Sequence, residues 1–138
     1  KDKTVMSVCP AMVVDKPKNI WQRIQYIEYV LGLFLRKTFA FLNAVHITPG
    51  AFSAYRKEFF DKHGGYQVHN ITEDLELALR IQYYGYRIEN DPDAPAYTTA
   101  PSKFYHLLKQ RRRWYVGLMR NLWDYRNPAH RRITSKPR

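Results

Sequence analysis

The stretch NITEDLELALRIQYYGYRIEND, residues 70–91, holds a helix, a stop and a strand in that order. Helical spacing of apolar residues runs from about Thr72 to Tyr84, Gly85 ends it, and YRIEND reads as a strand. The same alternation extends outward on both sides. Upstream, TVMSVCPAMVV (residues 4–14) is β-branched and apolar and predicts a strand, with DKPKN as the following turn. Asn19 then caps a helix from Ile20 to Leu42. AVHITPGAF (residues 44–52) predicts a short strand broken by Pro49 and Gly50, and SAYRKEFFDKHGGY a short helix ended by Gly64 and Gly65. Downstream, PDAPAYTTAP reads as a loop, a long helix spans Ser102 to Tyr125, and residues 127–138 form a mobile basic tail. Strands alternating with long amphipathic helices predict an α/β fold on a mixed or largely parallel sheet, with one domain over residues 1–126.

Composition supports a packed domain. Of 138 residues, 45% are hydrophobic and 15% aromatic, which excludes a disordered polycation. A single cysteine, Cys9, excludes an intramolecular disulfide. The longest apolar run, YVLGLFL at residues 29–35, is stopped by Arg36 and Lys37, far short of the roughly 20 residues of a membrane span. The opening KDKTVMSV and closing ITSKPR read as the ends of an excised piece. The net charge is +11, but Lys103–Arg138 alone holds eleven Lys or Arg against the one acid Asp124. An anionic ligand is therefore expected at the last helix.

On that helix, Phe104, Leu107, Leu108, Tyr115, Leu118 and Leu122 form one stripe, expected to bury against the sheet. Gln110, Arg113, Trp114 and Gly117 form a second, at i, i+3, i+4 and i+7. This second stripe is either a solvated face or a site where Arg113 forks onto phosphate oxygens and Trp114 stacks a ring. The helix from Ile20 to Leu42 has the same ambiguity. Its stripe Ile20, Ile24, Ile27, Leu31, Leu35, Phe39 and Leu42 fits core packing or a membrane interface, with Arg23, Glu28, Arg36 and Lys37 off that line.

Two readings also fit the start of the helix at residue 72. Asn70 and Glu73 have capping-box spacing, and acids suit a first turn. Alternatively Asp74 is a general base, kept ionised at rest by the helix dipole. No histidine among His46, His63, His69, His106 and His130 has metal-ligand spacing, and Asp91-Pro92-Asp93 reads as a turn.

Taken together, Thr72-Glu73-Asp74 followed by Gln110-x-x-Arg113-Trp114, with ITPGAFSAYRKE upstream, resembles the processive inverting glycosyltransferases of family two. These are the cellulose, chitin, hyaluronan and poly-N-acetylglucosamine synthases, and the resemblance runs from about Thr4 to Arg126. It implies the acceptor-side part of a GT-A-like domain. Asp74 would deprotonate the acceptor hydroxyl, with Thr72 and Glu73 shaping the acceptor site. Gln110 and Arg113 would meet the diphosphate of a nucleotide-sugar, a UDP-sugar, and Trp114 would stack the acceptor sugar. Pro49, Gly50 and Ala51 would form the acceptor-proximal loop, and Arg111 and Arg112 would give general electrostatic help. The resemblance further implies Mg2+ or Mn2+ on an upstream Asp-x-Asp that this sequence lacks, so the chain alone is expected to be inactive and prone to self-association. It also implies a cell-membrane enzyme with a cytoplasmic catalytic part. Two rival readings are a membrane-surface module and a single-stranded nucleic-acid binder. The second leaves Glu73, Asp74, Glu76, Glu89, Asp91 and Asp93 without a role, so no nucleic-acid partner is expected.

Overall fold

The computed structural model describes residues 2–42, 45, 47–50 and 52–126. Ala51 and the tail at 127–138 lie outside the described residues. The element order is β1 (Val5–Val14), α1 (Ile20–Phe41), β2 (Ala54–Tyr55), α2 (Lys57–His63), α3 (Glu73–Tyr83), β3 (Arg87–Thr98) and α4 (Phe104–Arg126). These strands form a mixed sheet in the order β2-β1-β3, with β1 parallel to β3 and antiparallel to β2. The α/β architecture expected of a GT-A-like domain part is therefore present.

Caps place the elements much as the sequence predicts. Asn19 Oδ1 accepts from the Gln22 N–H, and Gly64, at φ +82°, ends α2 in the left-handed region that favours glycine. The core gathers Met6 and Cys9 of β1, Phe59 of α2, Leu77, Ala78 and Ile81 of α3 and Ile88 of β3. One face of α3 is thereby pinned against the sheet, which fixes where its N-terminus points.

Two expected boundaries are corrected. Of the predicted strand at 44–52, residues 44, 46 and 51 lie outside the described residues and none of the others is strand; the two-residue β2 follows, and Pro49 and Gly50 sit in the loop before it. The predicted loop after YRIEND is strand, because Pro95–Thr98 continue the ladder with Ala11–Val14. The register jumps from Pro10↔Asp91 to Ala11↔Pro95, leaving Pro92–Ala94 out of the ladder as a bulge. Pro92 has no N–H to offer a neighbour, so it fits there. The Asp91-Pro92-Asp93 turn is thus an interruption within β3, closed by the Asp93 N–H donating to Asp91 Oδ1 at 3.0 Å.

The helix faces bring a larger correction. Gln25, Arg36 and Ala40 are the buried residues of α1. Ile20, Ile27 and Leu31 of the apolar stripe are more than half exposed, as is the neighbouring Phe34 at 70%. Arg36, expected off the buried face, instead lies 8% exposed above β1 and β3, its Nε reaching Asn90 Oδ1 at 3.5 Å. On α4 the expected apolar stripe is likewise turned outward: Phe104, Leu108, Tyr115 and Leu122 are exposed, and Leu107 alone of that stripe is buried. The molecule therefore presents two long helices with uncovered apolar faces. No described helix is long and apolar enough to cross a membrane.

Candidate active site

The buried side of α4 holds Leu107, Gly117 and Asn121, with Gln110, Arg111 and Trp114 half-buried between them. Leu107 apart, the inner side follows Gln110, Trp114 and Gly117 of the polar stripe while Arg113 stays exposed, and its partner is the start of α3. Gly117 explains the closeness of the approach, because a methyl group there would overlap the Thr72 side chain, 2.8 Å from its Cβ. One turn on, Asn121 Nδ2 donates to Thr72 Oγ1 at 3.0 Å and reaches the Thr72 carbonyl at 3.4 Å. Asn70 Nδ2 donates to Asn121 Oδ1 at 2.6 Å, and Asn70 Oδ1 accepts the Thr72 N–H at 3.0 Å. Thr72 is the N-cap of α3, so the capping box expected between Asn70 and Glu73 does not form. Asn70 instead holds the cap residue from outside, and Glu73 is exposed.

Asp74, in the first turn of α3, is half-buried. Its Oδ1 accepts from the Leu75 N–H at 2.8 Å. Gly50 abuts it, since a methyl group there would lie 3.5 Å from Asp74 Oδ2. Just before Gly50 in the same loop, the wholly buried Thr48 donates its hydroxyl to the Asp74 carbonyl at 2.9 Å and accepts from the Tyr55 hydroxyl at 3.0 Å. The loop with Pro49 and Gly50 is thus tied directly to the acid. Burial raises the Asp74 pKa, with the neighbouring Glu73 adding to it, and the N–H groups of Leu75, Gly50 and Asp74 only partly oppose this. Desolvation thus outweighs the pull of these N–H groups at the helix start, and Asp74 is a stronger base than an exposed aspartate.

On α4, Gln110 and Arg113 line an open groove of about 900 Å3, together with Lys109, Arg112, His106 and Ser102. Gln110 Oε1 is buried and has no hydrogen-bond partner among the described residues. The groove reaches Ile71, next to Thr72, while Asp74 and Trp114 lie outside its lining. Trp114 is held from the other side: the Arg111 guanidinium lies 4.4 Å from its ring centroid and is ion-paired to Glu28 of α1. Arg111 therefore has a specific place, not only general electrostatic help.

The structure joins Thr72 to the Gln110–Trp114 helix and joins Gly50 to Asp74. Sequence reasoning missed Thr48 and Asn121, neither of which stands out by type or spacing, and gave Arg111 only general electrostatic help. Among the described residues no group of three or more His, Cys, Asp or Glu could hold a metal ion. The residues present thus do not fit the implied Mg2+ or Mn2+, and no step below is routed through one.

This mixed-sheet α/β domain holds the start of α3, with the half-buried Asp74 two residues past its N-cap, against the basic and aromatic helix α4. Comparison with known proteins places it further. Residues 2–136 match the family described as glycosyl transferase family group 2, and the chain belongs to that family. It is 30% identical to chitin synthase 6 of Mycosarcoma maydis, over 88% of this chain and 12% of that protein. It is 28% identical to the poly-beta-1,6-N-acetyl-D-glucosamine synthase of Staphylococcus epidermidis, over 80% of this chain and 28% of that one. With the synthase of the same name from Staphylococcus aureus (strain COL), identity is 31% over 75% and 26%. The chain thus spans at most 28% of these curated relatives' length.

Proposed function

We propose that this chain is the acceptor-side part of the catalytic domain of a membrane-associated polysaccharide synthase. The reaction moves a sugar from a nucleotide-sugar, a UDP-sugar, onto a growing polysaccharide with inversion. The observation that carries this reading is the clamp of Thr72 onto Gly117 and Asn121, which makes the two motif-bearing helices one unit. Asp74 takes the proton of the acceptor hydroxyl as the new glycosidic bond forms, and its burial suits it to that role. Arg113 and Gln110 meet the donor, with Lys109 and Arg112 adding positive charge along the same groove. Trp114, braced by Arg111, offers one ring face to the acceptor sugar. Thr72, Glu73, Pro49, Gly50 and Ala51 shape the acceptor side. The divalent cation, Mg2+ or Mn2+, belongs to residues outside this chain, and the chain alone is inactive.

The uncovered apolar faces of α1 and α4, beside a basic helix, support a seat on the cytoplasmic surface of the cell membrane; in the isolated chain they favour self-association. In full-length protein, Arg113→Ala raises the donor KM about 10- to 100-fold, the range for losing a charge-assisted hydrogen bond. An unchanged donor KM, measured by nucleotide release, would remove the diphosphate assignment. The pH profile carries a second expectation. Asp74 works only when deprotonated, and burial raises its pKa. The rate therefore rises with pH through a value above the ordinary 3.8 of an aspartate. A profile flat across the acid range would contradict a carboxylate base.

A further inference from the structure

We infer that Asn121 is a positioning residue for this transfer: it fixes the turn that carries Asp74 to the helix that carries Gln110, Arg113 and Trp114. The inference rests on the reading of Asp74 as the base.

Asn121 is 1% exposed, and both ends of its amide are used. Its Nδ2 serves Thr72 Oγ1 and the Thr72 carbonyl, and its Oδ1 receives Asn70. Thr72 and Asn70 are bonded to each other, so three side chains close on the N-cap of α3, two residues before Asp74. Nothing of Asn121 remains for substrate. It acts only through Thr72. Along α4 it stands two turns beyond Trp114, about 10 Å of helix rise. A shift of this contact therefore displaces the base relative to the donor and acceptor groups without removing any of them.

The next turn supplies an internal control. Tyr125 donates to Glu76 Oε1 at 2.6 Å, a second side-chain tie between α4 and α3, made one turn further along each helix. If Asn121 serves packing alone, both ties should behave alike. If it sets the catalytic register, only Asn121 should alter turnover.

The experiment measures kcat, donor KM and thermal midpoint in full-length protein for Asn121→Ala, Tyr125→Phe and Asp74→Asn. The expected result is an Asn121→Ala kcat about 100-fold below wild type, the size of effect that an ångström-scale misplacement produces, with donor KM unchanged. Tyr125→Phe lowers the midpoint and leaves kcat per folded enzyme unchanged. A wild-type kcat for Asn121→Ala, a loss matching only its folded fraction, or an equal loss in Tyr125→Phe overturns the inference. An inactive Asp74→Asn beside a wild-type Asn121→Ala sinks Asn121's role alone; an active Asp74→Asn sinks the base reading and this inference with it. Should Asn121→Ala not accumulate, Asn121→Ser is measured to the same criteria.

Discussion

Asp74→Asn in full-length protein is expected to lower turnover by about 10²- to 10⁴-fold, the range that a positioned general base contributes. The substitution keeps the side chain's shape and its place against Gly50 and the Leu75 N–H, but an amide cannot take the proton of the acceptor hydroxyl. Donor affinity should hold, because Asp74 lies outside the groove that Gln110 and Arg113 line. Stability should hold or rise, and the sign follows from burial. Asp74's pKa is raised in the folded state, so the fold binds this proton more tightly than the unfolded chain does. Stability from this group is then lost as pH rises from the ordinary aspartate value through the folded one. At neutral pH the wild type bears the cost of a half-buried charge that the asparagine lacks. Loss of sugar incorporation with an undiminished thermal midpoint and unchanged nucleotide-sugar binding is the expected combination. Near-normal incorporation would refute the base.

Periodicity located α1 and α4 closely but not their buried faces, and the reason is physical. A 3.6-residue repeat shows that a helix has two faces; it does not show what covers either. On α1 the sheet side takes Gln25 and Arg36, whose polar ends reach Tyr29 and Asn90, and the isoleucine stripe is left outward. On α4 a glycine and an asparagine beat a leucine stripe for the inner face. Gly117 allows backbone approach to Thr72, and Asn121 satisfies groups that would otherwise be buried unpaired. The continuation of β3 through Pro95–Thr98 was hidden for a related reason: Pro92 and the flanking aspartates signal a turn, yet here they sit in a bulge and the ladder resumes beyond it.

The candidate site could be proposed from the sequence where chemistry and spacing coincide, at Asp74 and at Gln110–Trp114, and not where residues act by contact across long sequence separation. Thr48 meets Asp74 across 26 residues and Asn121 meets Thr72 across 49. Neither pairing leaves a local trace. The direction of the Asp74 shift was also beyond the sequence, since a helix start argues for a low pKa and only the Gly50 loop lying on the acid reveals the desolvation that reverses it.

The largest stability effect is expected at Arg80, a residue with no part in the chemistry. Its side chain is 6% exposed and pairs with Glu76, 1% exposed, at 3.2 Å. It also donates to the carbonyls of His63 at 3.0 Å and Gly65 at 2.8 Å, closing the loop that follows α2 onto α3. Arg80→Ala leaves a buried carboxylate with only Tyr125 and Gln67 as donors and strands those carbonyls. Breaking a buried pair from one side costs about 3–5 kcal/mol. The loss should depend on pH in a definite sense. Burial already raises the Glu76 pKa against the pull of Arg80, and removing Arg80 raises it further. The variant's deficit is then smallest at acid pH, where Glu76 is protonated in both folded proteins, and grows as pH rises through the interval between the wild type's raised Glu76 value and the variant's still higher one. Adding Glu76→Gln to Arg80→Ala removes the stranded charge, so the double variant should be more stable than Arg80→Ala alone at neutral pH. Denaturant unfolding of the wild type, Arg80→Ala and the double variant at pH 4 and pH 7 checks this. Equal deficits at both pH values, or a double variant no better than the single, would show that Arg80 serves the loop carbonyls and not the buried acid.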